Sequence, residues 1–340
     1  MADHSSNINA VAPVKKAVDA IKKNADSVLR YPDHRNRKLT SLVSNYFNVP
    51  IQNISVGVGS TQLLFDIPKL LPYKRAVIVV PTFWEYKVLN ERNKKPVKKI
   101  FLTEEEGFKL DYALLEKNIK PGDAVFICNV NNPTSTIYQK KRLLKLMRDN
   151  PKTQFIVDET YLLFRGDYEK QTFSKEAKKT KNIHVIASLS KFFALPGIRL
   201  GVIISNKETI DSYVSEVQVP YSVQPLAYVA AEPLLEDALF SKKNREFHDR
   251  QREDFYNKAQ KKLKGRLKLF EPAGPFIFCR ILTGQKSPEI VRLLSQMDIL
   301  IRGGHELSDV GDQWLRFSIR TKKENSMLLG GLDEVLSHQS

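Results

Sequence analysis

Short runs of apolar and β-branched residues alternate with amphipathic segments through the middle of the chain. The runs predict strands at 76–80, 98–102, 124–128, 154–158, 184–188 and 200–204. The segments between them repeat apolar residues at helical spacing, and they predict helices at 61–71, 84–93, 139–149 and 207–216. Nearly continuous apolar strands separated by amphipathic helices are typical of a mainly parallel sheet that is covered on both faces. The pattern therefore predicts an α/β fold from about residue 50 to about residue 215.

The pattern changes after about residue 220. Two long helical stretches, at 224–239 and 244–264, are followed by strand-like runs ("FIFCRI", "ILIRG" and "WLRFSI"), a helical stretch at 288–297 and a terminal helix from about residue 323. This order predicts a second, smaller α+β domain. We therefore predict three parts, which are an N-terminal segment at 1–30 that joins the small domain, a large domain at 31–218 and a small C-terminal domain at 219–340.

Composition indicates an ordinary globular protein without a membrane span. Of the 340 residues, 42% are hydrophobic, which is enough for a sizeable core. No stretch approaches the roughly 18 consecutive apolar residues of a membrane helix, and the N-terminus lacks a basic and apolar leader. We predict a cytoplasmic protein. Cys128 and Cys279 lie in apolar runs, and the six histidines form no HExxH pairing, so we expect buried thiols and no metal site.

The net charge of +16 raises the question of a nucleic-acid partner. The lysines are spread through helical segments and mixed with acidic residues, as in "VKKAVDAIKKNAD" and "QKKRLLKLMRD". This distribution is typical of solvated helix faces, and no nucleic-acid motif accompanies it. We therefore expect no nucleic-acid partner, and we keep a nucleic-acid-binding protein on an inactive enzyme fold as an alternative hypothesis.

Polar side chains follow three of the predicted strands. They are Asn132 after 124–128, Asp158 and Tyr161 at the end of 154–158, and Ser188, Ser190 and Lys191 after 184–188. Each has an ordinary explanation as a turn, a helix cap or a solvated residue. Because the carboxyl ends of parallel strands meet at one edge of a sheet, their convergence predicts a ligand with a phosphate, a carbonyl group and a cationic ring nitrogen.

Pyridoxal phosphate has these three groups. A lysine amine binds its aldehyde as a Schiff base, and a carboxylate keeps its pyridine nitrogen protonated. Its phosphate needs hydroxyl groups, an arginine and free backbone amides at the start of a helix. The loop Gly57-Val58-Gly59-Ser60-Thr61 opens an apolar helix and could supply such amides, although a plain glycine turn explains it equally well. Phe83 could cover the ring or could pack in the core.

Several motifs in order resemble the fold type I pyridoxal-phosphate enzymes. They are "SSNINAVAP", "LRYPD", "VVPTFWEY", "NVNNPTS", "VDETYLLF", "SLSKFFALPGIRLG" and "VPYSVQPLA", and they extend over nearly the whole chain. The chain is most similar to the branch that contains threonine-phosphate decarboxylase and histidinol-phosphate aminotransferase. The resemblance implies the fold type I architecture, a large domain with a mainly parallel sheet plus a smaller α+β domain, and a homodimer with shared active sites.

The resemblance also implies a role for each cofactor-site residue. Lys191 would bind the cofactor aldehyde and move protons, Asp158 would pair with the pyridine nitrogen, and Asn132 and Tyr161 would bond the ring oxygen. Phe83 would stack on the ring. The phosphate would be held by Gly59, Ser60, Thr61, Ser188, Ser190 and Arg199, with Tyr31 from the neighbouring subunit. Lys191, Asp158 and Tyr161 are the catalytic candidates.

The tail "ILIRGGHELSDVGDQWLRFSIR" favours the decarboxylase, which has two arginines at this spacing. By resemblance, Arg316 binds the substrate carboxylate and Arg302 binds a substrate phosphate, for which an exposed surface arginine is the alternative. Asn9 is a further candidate for substrate binding. We therefore expect decarboxylation of L-threonine O-3-phosphate or L-serine O-phosphate to a phosphorylated amino alcohol. The alternative is an aminotransferase of the histidinol-phosphate or aromatic type.

Four departures from the decarboxylase pattern concern the substrate side. The upstream His-Gly-Gly-Asn stretch has no counterpart here, Ala10 replaces a proline, Ser135 replaces a glycine, and Gly274-Pro275 stands where an Asn-aromatic pair is usual. These departures concern the predicted side-chain pocket more than the cofactor site. The identity of the amino-acid substrate is therefore left open between phosphothreonine, phosphoserine and another acidic amino acid.

Overall fold

The computed structural model describes residues 1–337. Its strands are β1 (Ala2–Asp3), β2 (Ile54–Gly57), β3 (Arg75–Val80), β4 (Val97–Phe101), β5 (Asp123–Cys128), β6 (Gln154–Asp158), β7 (Ile183–Ser188), β8 (Gly201–Ile204), β9 (Leu267–Leu269), β10 (Phe276–Ile281), β11 (Ile299–Leu300), β12 (Arg302–Gly303) and β13 (Trp314–Ser318). All six predicted strands of the α/β region are present, each within two residues of its predicted limits.

The helices connect and cover these strands. They are α1 (Val14–Lys23), α2 (Arg37–Phe47), α3 (Gly59–Leu70), α4 (Glu85–Arg92), α5 (Tyr112–Asn118), α6 (Lys140–Asp149), α7 (Tyr168–Gln171), α8 (Ser174–Ala177), α9 (Leu189–Phe192), α10 (Lys207–Ser212), α11 (Pro225–Leu235), α12 (Ala238–Lys262), α13 (Ser287–Gln296) and α14 (Lys322–Ser337). The part of the chain that is described contains no helix both long and apolar enough to cross a membrane.

A seven-stranded sheet in the order β2-β8-β7-β6-β5-β3-β4 forms the centre of the fold. Strands β4, β3, β5, β6 and β7 run parallel, whereas β8 runs antiparallel to both β7 and β2. The link between β7 and β8 contains only the one-turn helix α9 and a 3₁₀ turn, so the chain reverses instead of making a full crossover. The predicted α/β fold with a mainly parallel sheet is confirmed.

Both faces of this sheet are buried, as parallel sheets require. Along β5 and β6, Val125, Ile127 and Val157 belong to one apolar cluster, while Phe126 and Ile156 belong to the cluster on the opposite face. Alternate residues of a strand point to opposite faces. The seven strands are thus held between two hydrophobic layers, which fixes the positions of the residues at their carboxyl ends.

A second sheet, in the order β12-β13-β10-β9, has its own apolar core with α12, α13 and α14. Strand β1 pairs in parallel with β11 beside it. Two helices differ from the predicted limits, because the first stretch ends at Leu235 and the next helix begins at Ala238. Asp237 causes the break, since its carboxylate accepts the backbone N–H of Phe240 as an N-cap. The domain limits at 30 and 218 stay a prediction.

The short strand β2 was not predicted, because its four residues, "ISVG", show too little apolar pattern to be recognised. Both cysteines are buried and unbonded, as expected from the sequence. Several lysines form ion pairs with acids four residues away on the same helix, among them Lys87 with Glu91 and Lys258 with Asp254. These pairs agree with the predicted solvated helix faces.

His184 gives the fold a dependence on pH. It is fully buried in β7 between Gln154 Oε1, at 2.8 Å from Nε2, and Ser205 Oγ, at 2.9 Å from Nδ1. Burial lowers the pKa of His184 from 6.5 to about 4. Between these values the unfolded chain binds more protons than the folded chain, so the free energy of unfolding falls as pH falls, by up to about 1.4 kcal/mol per pH unit.

We therefore expect His184→Gln, which keeps an amide donor towards Gln154, to remove this contribution. The measurement is the denaturant midpoint of the cofactor-free protein in steps from about pH 7 to about pH 4. The difference in stability between the two proteins should shift in favour of the variant as pH falls, because only the wild type must protonate this buried ring. Parallel pH profiles would contradict the assignment.

Candidate active site

A cavity opens at the carboxyl ends of β5, β6 and β7. It is lined by Ser60, Thr61, Phe83, Cys128, Asn132, Asp158, Thr160, Tyr161, Ser188, Ser190, Lys191, Pro196 and Arg199. Ten of these residues were predicted from the sequence, and the structure brings them together. Convergence at this edge follows from the parallel strands, each of which ends beside its neighbour.

Lys191 lies on the one-turn helix α9, directly after β7. Its Nζ makes one long contact, 3.4 Å to the backbone oxygen of Ser6. Burial lowers the pKa of Lys191, and the guanidinium groups of Arg316 and Arg199 lower it further. The amine is therefore more often neutral, and more nucleophilic, than a solvated lysine at the same pH.

Asp158 ends β6 and is buried with 4% of its surface exposed. Its Oδ2 accepts the Tyr86 hydroxyl at 2.7 Å, and its Oδ1 accepts the backbone N–H of Thr160 at 2.9 Å. Burial raises the pKa of Asp158. None of the ion pairs found within residues 1–337 includes this carboxylate. A buried carboxylate without a cation is costly, so the site fits a ligand that brings a positive charge.

The start of α3 forms the opposite end of the cavity. Val58 provides no side-chain cap, so the first N–H groups of the helix, at Gly59, Ser60 and Thr61, have no partner in the helix itself. The Ser190 hydroxyl is buried without a hydrogen-bond partner among the described residues. These donors and the adjacent Arg199 fit an anion such as a phosphate.

Close backbone packing holds this anion end together. Gly57 and Gly201 pair across β2 and β8. A Cβ atom at Gly201 would lie 2.4 Å from the Gly59 carbonyl carbon and 2.4 Å from the Ser60 nitrogen, and a Cβ atom at Gly59 would lie 2.6 Å from Arg199 Nη2. Only glycine fits at position 201, because real Cβ atoms do not approach backbone atoms this closely, and glycine is favoured at position 59 because its φ is +84°.

Arg316 on β13 approaches the cavity from the second sheet. It is 6% exposed, and its Nη1 donates to Asn132 Oδ1 at 2.6 Å while its Nη2 donates to the Ser5 oxygen at 2.6 Å. Its Nε has no partner within the described chain. Burial lowers the pKa of Arg316 to about 10. This guanidinium is fixed in position and still has a free donor, which suits a carboxylate.

Arg302 on β12 lies directly opposite Arg316 across the antiparallel pair. Its Nη1 contacts Glu306 Oε1 at 2.6 Å, and its side chain is 44% exposed. Side chains of directly opposed residues extend from the same face of a sheet. Arg302 therefore lies next to the cavity, and its guanidinium is already paired with the Glu306 carboxylate.

Five of the predicted residues do not line the cavity, namely the two arginines described above and Gly59, Tyr31 and Asn9. Gly59 lies directly behind its wall, against Arg199. Tyr31 is 88% exposed beside Tyr221, so within one chain it makes no contribution to the cavity, and its predicted role across a dimer stays a prediction. Asn9 is hydrogen-bonded through its amide to Phe192 and His248, and its predicted role in substrate binding stays a prediction.

Sequence reasoning missed Tyr86, Cys128, Thr160 and Pro196. Cys128 had been interpreted as a core thiol, yet it lies at the floor of the cavity. Tyr86 is buried on α4 and donates to Asp158. It follows Phe83 by three residues, which is one helical turn, and this spacing could have indicated that both approach the same site.

The family model described as Aminotransferase class I and II matches residues 3–332. Threonine-phosphate decarboxylase of Salmonella typhimurium is 28% identical over 339 residues, which are 98% of this chain and 91% of that protein. The crystal structure of histidinol-phosphate aminotransferase from Clostridium acetobutylicum is similar with a TM-score of 0.89 and 28% identity, and 99% of each chain is covered. Histidinol-phosphate aminotransferase from Sinorhizobium meliloti, solved in complex with pyridoxal-5'-phosphate, has a TM-score of 0.85 at 19% identity, covering 99% of this chain and 90% of that chain.

Pyridoxal phosphate is the cofactor of this chain. Three features of the cavity, each observed in the structure itself, fit this cofactor. Asp158 is a buried carboxylate without a cation, Ser190 has an unpartnered hydroxyl beside free helix amides, and Lys191 is an amine of lowered pKa. These are matched by a ring nitrogen, a phosphate and an aldehyde, respectively.

We expect Lys191→Ala to abolish covalent attachment of the cofactor, because no other cavity residue carries an amine. Wild-type protein treated with borohydride should gain the mass of the reduced cofactor on the peptide containing Lys191, and the variant should not. Lys175→Ala, at an exposed lysine, is the matched control and should behave as wild type. Reduced cofactor recovered on another peptide of the wild type would contradict this role.

We expect Asp158→Asn to retain the cofactor but to lower turnover by two or more orders of magnitude, because a neutral amide cannot keep the ring nitrogen protonated. The readouts are cofactor content and kcat. The control is Tyr86→Phe, which removes one hydrogen bond to the carboxylate and keeps its charge, so the effect should be far smaller. Near-normal turnover of Asp158→Asn would refute the pairing.

Proposed function

The chain belongs to the class I and II aminotransferase family, and we propose that it decarboxylates an O-phosphorylated amino acid, L-threonine O-3-phosphate or L-serine O-phosphate. The products would be a phosphorylated amino alcohol and carbon dioxide. The observation that supports this most directly is the placement of Arg302 opposite Arg316 beside the cavity. Two neighbouring guanidinium groups match a substrate with two anionic groups, a carboxylate and a phosphate.

The cofactor supplies an electron-withdrawing ring that accepts the electron pair of the α-carbon bond that breaks. In our proposal the Lys191 amine binds the cofactor aldehyde and exchanges a proton at the substrate's α-carbon. Asp158 holds the ring nitrogen in its protonated form, and Phe83 covers one ring face. The cofactor phosphate would be held by the amides and side chains of Gly59, Ser60, Thr61, Ser188, Ser190 and Arg199, and Asn132 and Tyr161 would bond the ring oxygen.

In our proposal the two arginines would determine which α-carbon bond breaks, because they would orient the substrate carboxylate relative to the cofactor. Arg316 cannot shift easily, since Asn132 and Ser5 hold both of its terminal nitrogens. If Arg302 bound the side-chain phosphate at the same time, the substrate would be held at two points, in an orientation that would favour loss of its carboxylate as carbon dioxide.

Glu306 competes with a substrate anion for Arg302. Its carboxylate contacts Arg302 and also accepts the backbone N–H of Gly303 at 3.0 Å. A substrate phosphate must compete with Glu306 for the Arg302 guanidinium. The competition favours a dianionic phosphate over a singly charged side-chain carboxylate, because the stronger anion displaces Glu306 more effectively.

An aminotransferase of the histidinol-phosphate or aromatic type is the second candidate. The similarity to an aminotransferase structure over 99% of both chains supports it as well. In that case Arg316 alone would hold the carboxylate in the ring plane, and the α-proton would leave instead of carbon dioxide. Arg302 would then bind the phosphate of an amino donor or remain paired with Glu306.

We further propose a cytoplasmic homodimer in which Tyr31 reaches the cofactor phosphate of the partner. Exposed apolar side chains at Val28, Leu29, Tyr31, Val219 and Tyr221 support a second copy at this surface. The exposure of Tyr31 outside its own cavity is the arrangement that such sharing requires. Sedimentation of the purified holoenzyme distinguishes a dimer from a monomer.

The product assay tests the reaction. Holoenzyme incubated with phosphothreonine or phosphoserine should release carbon dioxide and a phosphorylated amino alcohol in equal amounts. With 2-oxoglutarate present, formation of glutamate in place of carbon dioxide would contradict decarboxylation and support the aminotransferase.

We expect Arg302→Gln to raise KM for the phosphorylated substrate on the order of tenfold, because a hydrogen bond to a charged group contributes about 1.5–3 kcal/mol and partial exposure reduces it. Glu306→Gln should lower KM, since it frees Arg302 from its internal partner. Arg292→Gln, at an exposed arginine on α13, is the control. Equal effects of Arg302→Gln and Arg292→Gln would remove Arg302 from the substrate site.

A further inference from the structure

The helix that carries Lys191 is closed at its end by the N-terminal segment. Helix α9 has only four residues, and the turn after it bonds its carbonyl groups in part, with the Ala194 N–H donating to the Lys191 oxygen at a long 3.3 Å. The Lys191 carbonyl accepts the backbone N–H of Asn9 at 3.1 Å, and the Phe192 carbonyl accepts Asn9 Nδ2 at 2.7 Å. Asn9 therefore caps α9 with both its main chain and its side chain.

The orientation of the Asn9 amide is fixed by two further donors. Its Oδ1 accepts the backbone N–H of Val11 at 3.0 Å and lies 3.0 Å from His248 Nε2. Val11 presents an N–H group and Phe192 presents a carbonyl oxygen, so the amide must place its oxygen towards Val11 and its nitrogen towards Phe192. His248 Nε2 faces that oxygen and must then carry the proton.

His248 is itself held firmly. It is 3% exposed on the long helix α12, and its ring packs edge-on against Phe164 with 4.8 Å between the ring centroids. Burial lowers the pKa of His248 to about 3, so the ring stays neutral near neutral pH and keeps a single donor towards Asn9. The contact thus links a long, packed helix to the turn that carries the amine.

We propose that Asn9 and His248 act as positioning residues, a clamp on α9 that holds the Lys191 amine at its place over the cavity. The inference rests on the proposed role of Lys191. It is offered in place of the expectation that Asn9 binds substrate, because the Asn9 side chain is hydrogen-bonded to Phe192, Val11 and His248 within the chain. A clamp acts on turnover, since a small displacement of a reacting group lowers the rate, whereas a substrate contact acts on KM.

The test compares His248→Leu with His248→Gln. Gln can place its amide N–H where Nε2 lies and should rescue the clamp, whereas Leu fills the space without a donor. Asn244→Leu is the matched control, because Asn244 is buried on the same helix one turn earlier and its side chain has no partner among the described residues. Thermal midpoints show whether each variant is folded.

Two readouts separate positioning from stability. In the holoenzyme, His248→Leu should lower kcat on the order of tenfold with KM little changed, and His248→Gln and Asn244→Leu should stay near wild type. In the cofactor-free protein, the labelling rate of the Lys191 amine at about pH 7, relative to about pH 10, should fall several-fold in His248→Leu, because a released amine regains the pKa of a solvated lysine.

The labelling readout needs neither substrate nor cofactor, so it remains decisive if the proposed decarboxylation fails. Equal kcat and labelling ratios for His248→Leu and Asn244→Leu would overturn the clamp. A rise in KM alone for Asn9→Ala would return Asn9 to the substrate site and overturn it as well. If His248→Leu does not fold, the comparison of His248→Gln with Asn9→Ala decides by the same two readouts.

Discussion

Burial of ionisable groups at one edge of the central sheet is the constraint on which the rest of the structure depends. Burial raises the pKa of Asp158 and lowers that of Lys191, so each is pushed towards its uncharged form when no partner is present. Both groups become useful when a ligand supplies the missing charge or the missing electrophile. Burying these groups without partners lowers the free energy of unfolding, and the two apolar layers of the sheet offset that loss.

The site is assembled from three separate pieces of chain. Strands of the seven-stranded sheet provide the cofactor side, β12 and β13 provide the arginines, and the N-terminal segment ties the two together. Asn7 shows this tie, because its Nδ2 donates to Tyr161 at 3.3 Å while its Oδ1 accepts the Ser318 hydroxyl at 2.8 Å. Buried hydrogen bonds to the first ten residues therefore help to set the relative position of the two sheets, together with apolar contacts such as Tyr161 with Phe276.

The sequence predicted six of the seven strands of the large sheet within two residues, since buried strands leave a strong apolar signal, and it missed only the four-residue edge strand β2. It also identified most of the cavity, since the polar residues follow directly after those strands. Hydrogen bonds between residues that are distant in the chain could not be predicted in this way. Tyr86 and Asp158 are 72 residues apart, and Asn9 and His248 are 239 apart. Their contacts depend on side-chain rotamers in the folded state, about which local periodicity carries no information.

The glycine contact behind the anion end has a consequence for redesign. With Gly201 pressed against the backbone of Gly59 and Ser60, that wall has no spare volume and offers no side chain to exchange. The region around Arg302 and Glu306 is different, because both side chains are partly exposed and can be exchanged. A laboratory seeking new substrates on this scaffold would thus leave the glycine wall unchanged and would randomise the positions around Arg302.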